Sequence, residues 1–293
     1  MTDQSFYTLV NPATGNLAFK ILSFDDNRYF DHLQRLNYYS IIWLITGEGR
    51  LKADFTEYPV GPGTIMSFSP YQPFMLEAPG ECKGIAINFH PDFFCIHKHH
   101  KEVACHGVLF NNIYQPPYVM VGENERDAFL VLIDQIRQEM QHAALAQYEL
   151  LVSYLKIFLI HASRLKVAQH QGAAEDMAGL KEPFVLQNLK NAIEDHYKTK
   201  HSASDYANML NISPKALAKM SKTHFNKTLT ALISERIVIE AKRELYLTSK
   251  PIKTIAWELG FEDEYYFSRF FKTNANVSPQ LYRNTVGFAR AEV

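Results

Sequence analysis

Lys215, Ala218, Lys219 and Lys222 recur at spacings of three and four, which on a helix sets them along one outer face. Leu217 and Met220 fall on the opposite, inward face. A cationic ridge one helix wide is a shape that the major groove of DNA admits. A second set follows downstream, where Phe267, Phe270 and Phe271 form an apolar face and leave Glu264, Tyr265, Ser268, Arg269 and Lys272 outward. These are donor and acceptor types suited to base edges and phosphates. Lys222 and Lys272, with Lys227 and Lys253 nearby, supply cations for phosphate neutralisation.

Both sets sit on the second helix of a short helix pair. Ser202 to Leu210, the break Asn211-Ile212-Ser213 and a helix opened by Pro214 form the first pair. Ser213 is a helix N-cap that accepts from an orphan amide, and proline at the first helical position has no amide to leave unpaired. Ile252 to Leu259, the turn Gly260-Phe261-Glu262-Asp263 and Glu264 to Lys272 form the second, with Asp263 as N-cap and Gly260 supplying the bend. Leu229 to Thr248 lies between them as a helix of roughly 20 residues, about 30 Å long. That is close to one turn of B-DNA, about 34 Å, so the spacing predicts two recognition helices in successive major-groove segments. Further helices are predicted at residues 184–198 and, as a short turn, 279–283.

Residues from about 185 to 286 resemble the DNA-binding domain of the AraC/XylS family of bacterial transcription regulators. The resemblance rests on Ile212-Ser213-Pro214, on Arg236 and Ala241, and on Ile255-Ala256 followed by Gly260-Phe261-Glu262-Asp263. It continues through Tyr266-Phe267-Ser268-Arg269-Phe270-Phe271-Lys272 and closes with Ser278-Pro279 and Tyr282-Arg283. It implies base or phosphate contacts from Lys215, Ala218, Lys219, Glu264, Tyr265, Ser268 and Arg269, and RNA polymerase as a protein partner. Where the family often has glycine after the second recognition helix, this chain has Asn274-Ala275-Asn276, and asparagine tolerates left-handed backbone.

Charge divides the chain. Of 30 Lys+Arg and 31 Asp+Glu, residues 1–180 hold 13 and 19, a balance of −6, and residues 181–293 hold 17 and 12, a balance of +5. The basic half suits a polyanion, double-stranded DNA, and the acidic half has another task. From Phe6 to about Val121 the acidic half is rich in Phe, Tyr, Ile and Val and cut by Gly, Pro, Asn and Asp, which is strand patterning. A strand over Tyr38–Thr46, a turn at Gly47-Glu48-Gly49 and a strand over Arg50–Tyr58 read as a hairpin, with Leu51, Ala53 and Phe55 on one face. Further strands are expected over Thr64–Phe68, after Pro73, and over Cys82–Phe89. Two helices follow, one capped by Asn124 and one over Gln147–Lys166, each with an apolar stripe. As an antiparallel pair they lie against the strands or against a second copy of the chain. Val167–Glu182 has no apolar period and reads as a linker.

By the same resemblance, the N-terminal region is a cupin-like barrel that binds a small effector or dimerises. The expected fold is therefore an α+β multidomain chain: an antiparallel β-barrel at 1–122, a helix pair at 123–168, a linker at 169–183, and an all-α domain with two helix-turn-helix motifs at 184–286. Tyr38, Trp43, Phe55, Phe68, Phe74 and Phe89 are candidates to line an effector cavity.

Metal chemistry has little support. Between Phe6 and Phe89 the only histidine is His32, whereas a catalytic cupin needs several convergent ligands. His90, Cys95, His97, His99, His100, Cys105 and His106 cluster but match no standard zinc spacing. No cofactor, nucleophile motif or phosphate-binding glycine loop is expected. The alternatives are a cupin-type metal enzyme with an accessory helical domain, and a protein-binding adaptor without DNA affinity. The odd number of cysteines argues against a disulfide framework, and an apolar run such as Ile41–Ile45 is far too short to span a bilayer. A cytoplasmic location without membrane partners is the expectation.

Overall fold

The computed structural model describes residues 6–12, 15–26, 28–54, 56–99, 107–142, 144–176 and 184–286. The chain divides into two compact units, one formed by the chain up to Asn112 with Pro116–Gln171, the other by Ile113–Gln115 with the chain from Gly172 onward. Among the described residues no helix is long and apolar enough to cross a membrane.

The first unit is built from strands β1 (Phe6–Val10), β2 (Leu17–Phe24), β3 (Tyr39–Thr46), β4 (Gly49–Ala53), β5 (Thr56–Val60), β6 (Thr64–Phe68), β7 (Phe74–Glu77), β8 (Lys83–Phe89) and β9 (Tyr118–Met120). Helices α1 (Glu123–Gln141) and α2 (Gln147–Asp176) follow. The strands form a six-stranded sheet in the order β1-β2-β8-β3-β6-β9 and a three-stranded sheet in the order β5-β4-β7. The architecture is antiparallel and β-rich as expected, but the sheets pack face to face and do not close into a barrel.

β3 and β4 do not form the hairpin that their turn residues predict. β3 pairs with β6 and β8, and β4 pairs with β5 and β7 in the other sheet. The glycine turn is a crossover between sheets. Gly47 sits at φ +91°, and a Cβ there would come within 2.5 Å of the Glu81 carbonyl oxygen. The actual hairpin joins β4 to β5, where Asp54 takes the left-handed conformation at φ 52°.

The six-stranded sheet is covered on both faces, which is why β3 reads as a continuous apolar run. Ile42, Leu44, Met66, Phe68, Phe74 and Leu76 pack between the two sheets, with the Phe68 and Phe74 rings stacked at 3.9 Å. Ile41, Trp43, Ile87 and Phe89 point the other way, against Phe129, Ile133, Leu155 and Phe158 of the helix pair. Each such fully buried side chain contributes about 1.5–3 kcal/mol relative to exposure. The helix pair therefore covers its own sheet.

Gly122, not Asn124, occupies the N-cap position of α1. α2 runs on to Asp176, beyond Val167 where the sequence reads as a linker. The extension, VAQHQGAAED, is rich in Ala and Gln, which favour helix.

The second unit is helical among its described residues: α3 (Phe184–His196), α4 (Ala203–Met209), α5 (Pro214–Phe225), α6 (Leu229–Leu247), α7 (Ile252–Glu258), α8 (Glu264–Ala275) and α9 (Pro279–Val286). Its core gathers Leu186, Leu189, Ile193, Leu217, Leu232, Ile237, Leu245, Phe267 and Phe271.

Candidate nucleic-acid interface

The first helix pair is set by local chemistry at both ends. At the start of α4, Ser202 Oγ accepts from the Asp205 amide at 3.2 Å while Asp205 reaches back to the Ser202 amide, also at 3.2 Å. Hydrogen bonding from Ser202 lowers the Asp205 pKa. Asn211 turns the chain at φ 54°, and the Ile212 amide returns to the Ala207 carbonyl at 3.0 Å. Ser213 then accepts from the Ala216 amide at 3.3 Å, with Pro214 opening α5. Leu217, Ser221 and Phe225 anchor α5, and Ser221 donates to the Lys227 carbonyl at 2.9 Å.

This leaves Lys215, Ala218, Lys219 and Lys222 exposed along one side of α5, while Met220 is half-buried. Lys227 is different. It is 7% exposed, and its Nζ pairs with Glu235 at 2.6 Å, so it does not offer the phosphate contact its type and position predict. It supports the start of α6 instead.

The second pair repeats the plan with different side chains. The Phe261 amide returns to the Ala256 carbonyl at 2.9 Å, matching the Ile212–Ala207 bond. Gly260 holds φ +79° and lies so close to α3's exit that a Cβ would stand 2.1 Å from the Lys198 carbonyl oxygen. Asp263 caps α8 with both carboxylate oxygens, accepting from the Tyr265 and Tyr266 amides at 3.0 Å each. Phe267, Phe271 and Ala275 are buried. Phe270 is half-buried, its ring 5.1 Å from that of Phe261. Tyr265, Arg269 and Lys272 are exposed, and Glu264 and Ser268 are half-buried between them.

From the capping residue onward, α5 and α8 superpose in sequence at an offset of fifty: Ser213 with Asp263, Leu217 with Phe267, Lys219 with Arg269, Lys222 with Lys272 and Asn226 with Asn276. Both asparagines end their helices in the left-handed conformation, at φ 54° and 59°.

α6 joins the pairs over 19 residues, about 29 Å at 1.5 Å per residue. Its charged face is a ladder that the sequence analysis missed. Arg236 donates to Glu194 of α3 at 2.7 Å and to Glu240 at 3.3 Å, and Arg243 donates to Glu240 at 2.8 Å. Lys250 then bridges Glu244 at 2.9 Å and Glu258 of α7 at 2.6 Å. The Arg236 guanidinium also lies over the Tyr197 ring at 3.9 Å. Burial alone would lower the Arg236 pKa and raise that of Glu240, yet Glu194, and after it Glu240, shifts Arg236 upward, and Arg236 with Arg243 shifts Glu240 downward. The three- and four-residue spacings of Arg236, Glu240 and Arg243 are readable in sequence; Glu194 and Glu258 are not.

Arg283 closes the domain by donating to the carbonyls of Leu245 at 3.2 Å and Lys250 at 2.7 Å. Lys253 is exposed and lies over the Trp257 ring at 4.7 Å. Of the motif residues quoted above, Gly260, Phe261, Asp263 and Arg283 are therefore scaffold, while Arg269 and Lys272 face solvent.

The effector candidates of the first unit do not share one cavity. Trp43 and Phe89 face the helix pair, Phe68 and Phe74 fill the space between the sheets, and Tyr38 is half-buried; Phe55 lies outside the described residues. A sheet buried on both faces hides in sequence which residues point which way. In the histidine and cysteine cluster, His90 and Cys95 are buried and the His99 ring stacks on Phe94 at 4.9 Å. His100, Cys105 and His106 lie outside the described residues. Among the described residues no group of three or more His, Cys, Asp or Glu side chains is placed to hold a metal ion.

A family model described as a helix-turn-helix domain matches residues 206–285, and one described as an AraC-like ligand binding domain matches residues 16–95. The chain is 30% identical over 95 residues to the raffinose operon transcriptional regulatory protein RafR of Pediococcus pentosaceus, covering 32% of this chain and 34% of that protein. It is 30% identical over 100 residues to the regulatory protein SoxS of Salmonella typhimurium, covering 34% of this chain and 94% of SoxS. Over 269 residues it is 23% identical to the uncharacterized HTH-type transcriptional regulator YfiF of Bacillus subtilis, covering 88% of this chain and 80% of that protein. The match to RafR thus spans about a third of that relative's length.

Proposed function

The chain belongs to the AraC/XylS family of transcription regulators, and we propose that it is a sequence-specific DNA-binding regulator whose β-rich unit senses a small effector. The observation that carries the reading is the duplicated helix pair: two capped helices, fifty residues apart, that keep Lys215, Ala218, Lys219, Lys222 and Glu264, Tyr265, Ser268, Arg269, Lys272 at their surfaces. Its support is chemical. α5 offers ammonium groups, which serve phosphates as point charges. α8 offers a guanidinium, a carboxylate and two hydroxyls, which read the edges of base pairs by directional hydrogen bonds.

In this reading residues 184–286 dock on duplex DNA in the cytoplasm, and α6 sets the separation of the two recognition helices to about one helical repeat. A second copy of the chain and RNA polymerase are the protein partners the reading calls for, and no catalysis is assigned. Selection from random duplexes with the full-length, folded protein tests it. The expected product is a motif with two short conserved blocks whose centres lie about 10 base pairs apart. Recovery of unselected sequence, or binding that does not weaken as salt rises, overturns it.

A further inference from the structure

Ile113–Gln115 belongs to the second unit, although the residues on either side of it in the chain belong to the first. Both ends of this segment are fastened within the first unit. Ser69 Oγ donates to the Asn111 side-chain oxygen at 2.8 Å, and the Ser67 amide donates to the Pro117 carbonyl at 2.8 Å. Lys166 of α2 adds a third tie, its Nζ donating to the Pro116 carbonyl at 2.8 Å. That lysine is 2% exposed, and burial lowers its pKa to about 8. A buried amine forfeits hydration, and the Pro116 bond offsets part of that loss.

Within the second unit the segment meets the end of the first recognition helix. Ile113 is buried. The Tyr114 ring lies 5.7 Å from that of Phe225, the last residue of α5. Lys190 of α3 holds its ammonium 5.7 Å from the Tyr114 ring centre and 5.5 Å from that of Phe225. The Tyr114 hydroxyl donates to Glu194 at 3.0 Å, and the other oxygen of that carboxylate accepts from Arg236 of α6 at 2.7 Å. Burial, and after it the Glu194 charge, raises the Tyr114 pKa, so the hydroxyl remains a donor. One side chain thus touches both α5 and the acid that ties α3 to α6. The α8 pair closes instead on the Phe261 ring, which meets Phe267 and Phe270. We propose that Tyr114 is a positioning residue for the first recognition helix: a strap tied at both ends to the first unit seats the C-terminal end of α5, so that the setting of α5, and not of α8, follows from the first unit. The seating stands independently of DNA recognition; only its consequence for operator reading rests on that function.

Hydrogen–deuterium exchange of the full chain, without DNA, tests the seating. Tyr114→Leu keeps apolar volume but loses the ring and the hydroxyl; it is expected to quicken exchange of the amides from Met220 to Phe225 about tenfold and to leave those of α8 at the parent rate. Tyr114→Phe, which keeps the ring, is expected to restore most of the protection. Lys166→Met removes a tie that lies wholly in the first unit, and is expected to quicken the same α5 amides about threefold. A tyrosine that served local packing alone would not pass that change on. Should Tyr114→Leu lose the parent melting transition, Lys166→Met decides. In competition binding, scrambling the operator block read by α5 is expected to cost Tyr114→Leu about threefold less than the parent, while scrambling the block that Arg269→Ala relaxes costs both alike. Parent-like α5 exchange in Tyr114→Leu or in Lys166→Met, equal acceleration of α5 and α8, or equal block costs in parent and variant overturns the proposal. A parent chain that selects no motif removes the DNA reading instead, and the exchange rates still decide the seating.

Discussion

The two helix pairs share a backbone plan and divide the chemistry between them. In the first, the outer face is almost all lysine, the turn is made by Asn211, and the buried face of α5 is Leu217, Ser221 and Phe225. In the second, the turn needs Gly260, and Phe261 sits among the rings of His201, Tyr266, Phe267 and Phe270 at 4.7–5.8 Å. The outer face there mixes acid, hydroxyl and guanidinium. An aromatic cage around the turn restricts how α8 can shift, and directional hydrogen bonds to base edges need that restriction more than point-charge contacts to phosphates do. The contrast teaches that capping and register are common to the two pairs while their cores and surfaces differ together.

The sharpest way to break this comparison is at the turns. Gly260→Ala places a Cβ 2.1 Å from a backbone oxygen at a positive φ, and is expected to cost about 3 kcal/mol or more in denaturant unfolding. Asn211→Gly, at the equivalent bend, is expected to stay within about 0.5 kcal/mol. Equal costs would mean the two turns are not differently constrained.

Next come the recognition faces. Arg269→Ala is expected to weaken the selected sequence by about 1–3 kcal/mol and relax preference at one position, measured by competition binding. Lys219→Ala and Lys272→Ala are expected to weaken all sequences alike and each reduce the slope of log affinity against log salt by about one unit. Sequence-independent loss from Arg269→Ala would remove the division of labour between the helices.

The caps give a smaller effect. Asp263→Ala frees two amides and Ser213→Ala frees one, so the first is expected to destabilise by about 1–2 kcal/mol and the second by about 0.5–1 kcal/mol, read from thermal melts.

The mildest expectation concerns acid. Burial lowers the His201 pKa below 6.5, against smaller opposing backbone contacts from Leu259, Tyr197 and Lys198. The unfolded chain therefore takes up this proton first as pH falls. The His201 contribution is complete above pH 6.5 and declines as pH falls through the folded pKa. His201→Phe is expected to flatten that part of a stability–pH profile; an unchanged slope would assign the loss elsewhere.

The helical unit was legible because its signals are local. Ser213-Pro214, Gly260 and Asp263 each fix a boundary within a turn of helix, and each boundary from α4 to α8 lies within about three residues of its expected place. The β-rich unit was less so. The glycine turn at residues 47–49 is equally compatible with a hairpin and with a crossover, and only long-range pairing of β3 with β8 and of β4 with β7 decides between them. The orientation of Trp43 against Phe68 was hidden for the same reason, since a strand apolar on both faces carries no alternation to read. Lys227 shows the limit at the interface: its type and spacing fit phosphate, but its ion pair with Glu235 depends on how α5 turns into α6. The place of Tyr114 beside Glu194 rests on a bond that spans 80 residues of sequence, and no local pattern announces that.

The ladder along α6 has a consequence for how such a domain is inherited. Arg236 is answered by Glu194 ahead of the first pair, and Lys250 by Glu258 within the second, so neither half carries a complete set of partners. A graft that exchanges α7 and α8 for those of another protein, to retarget one block of an operator, would import a surface evolved for a different strut. Successful chimeras should cut upstream of α3, moving both readers and their shared brace as one cassette.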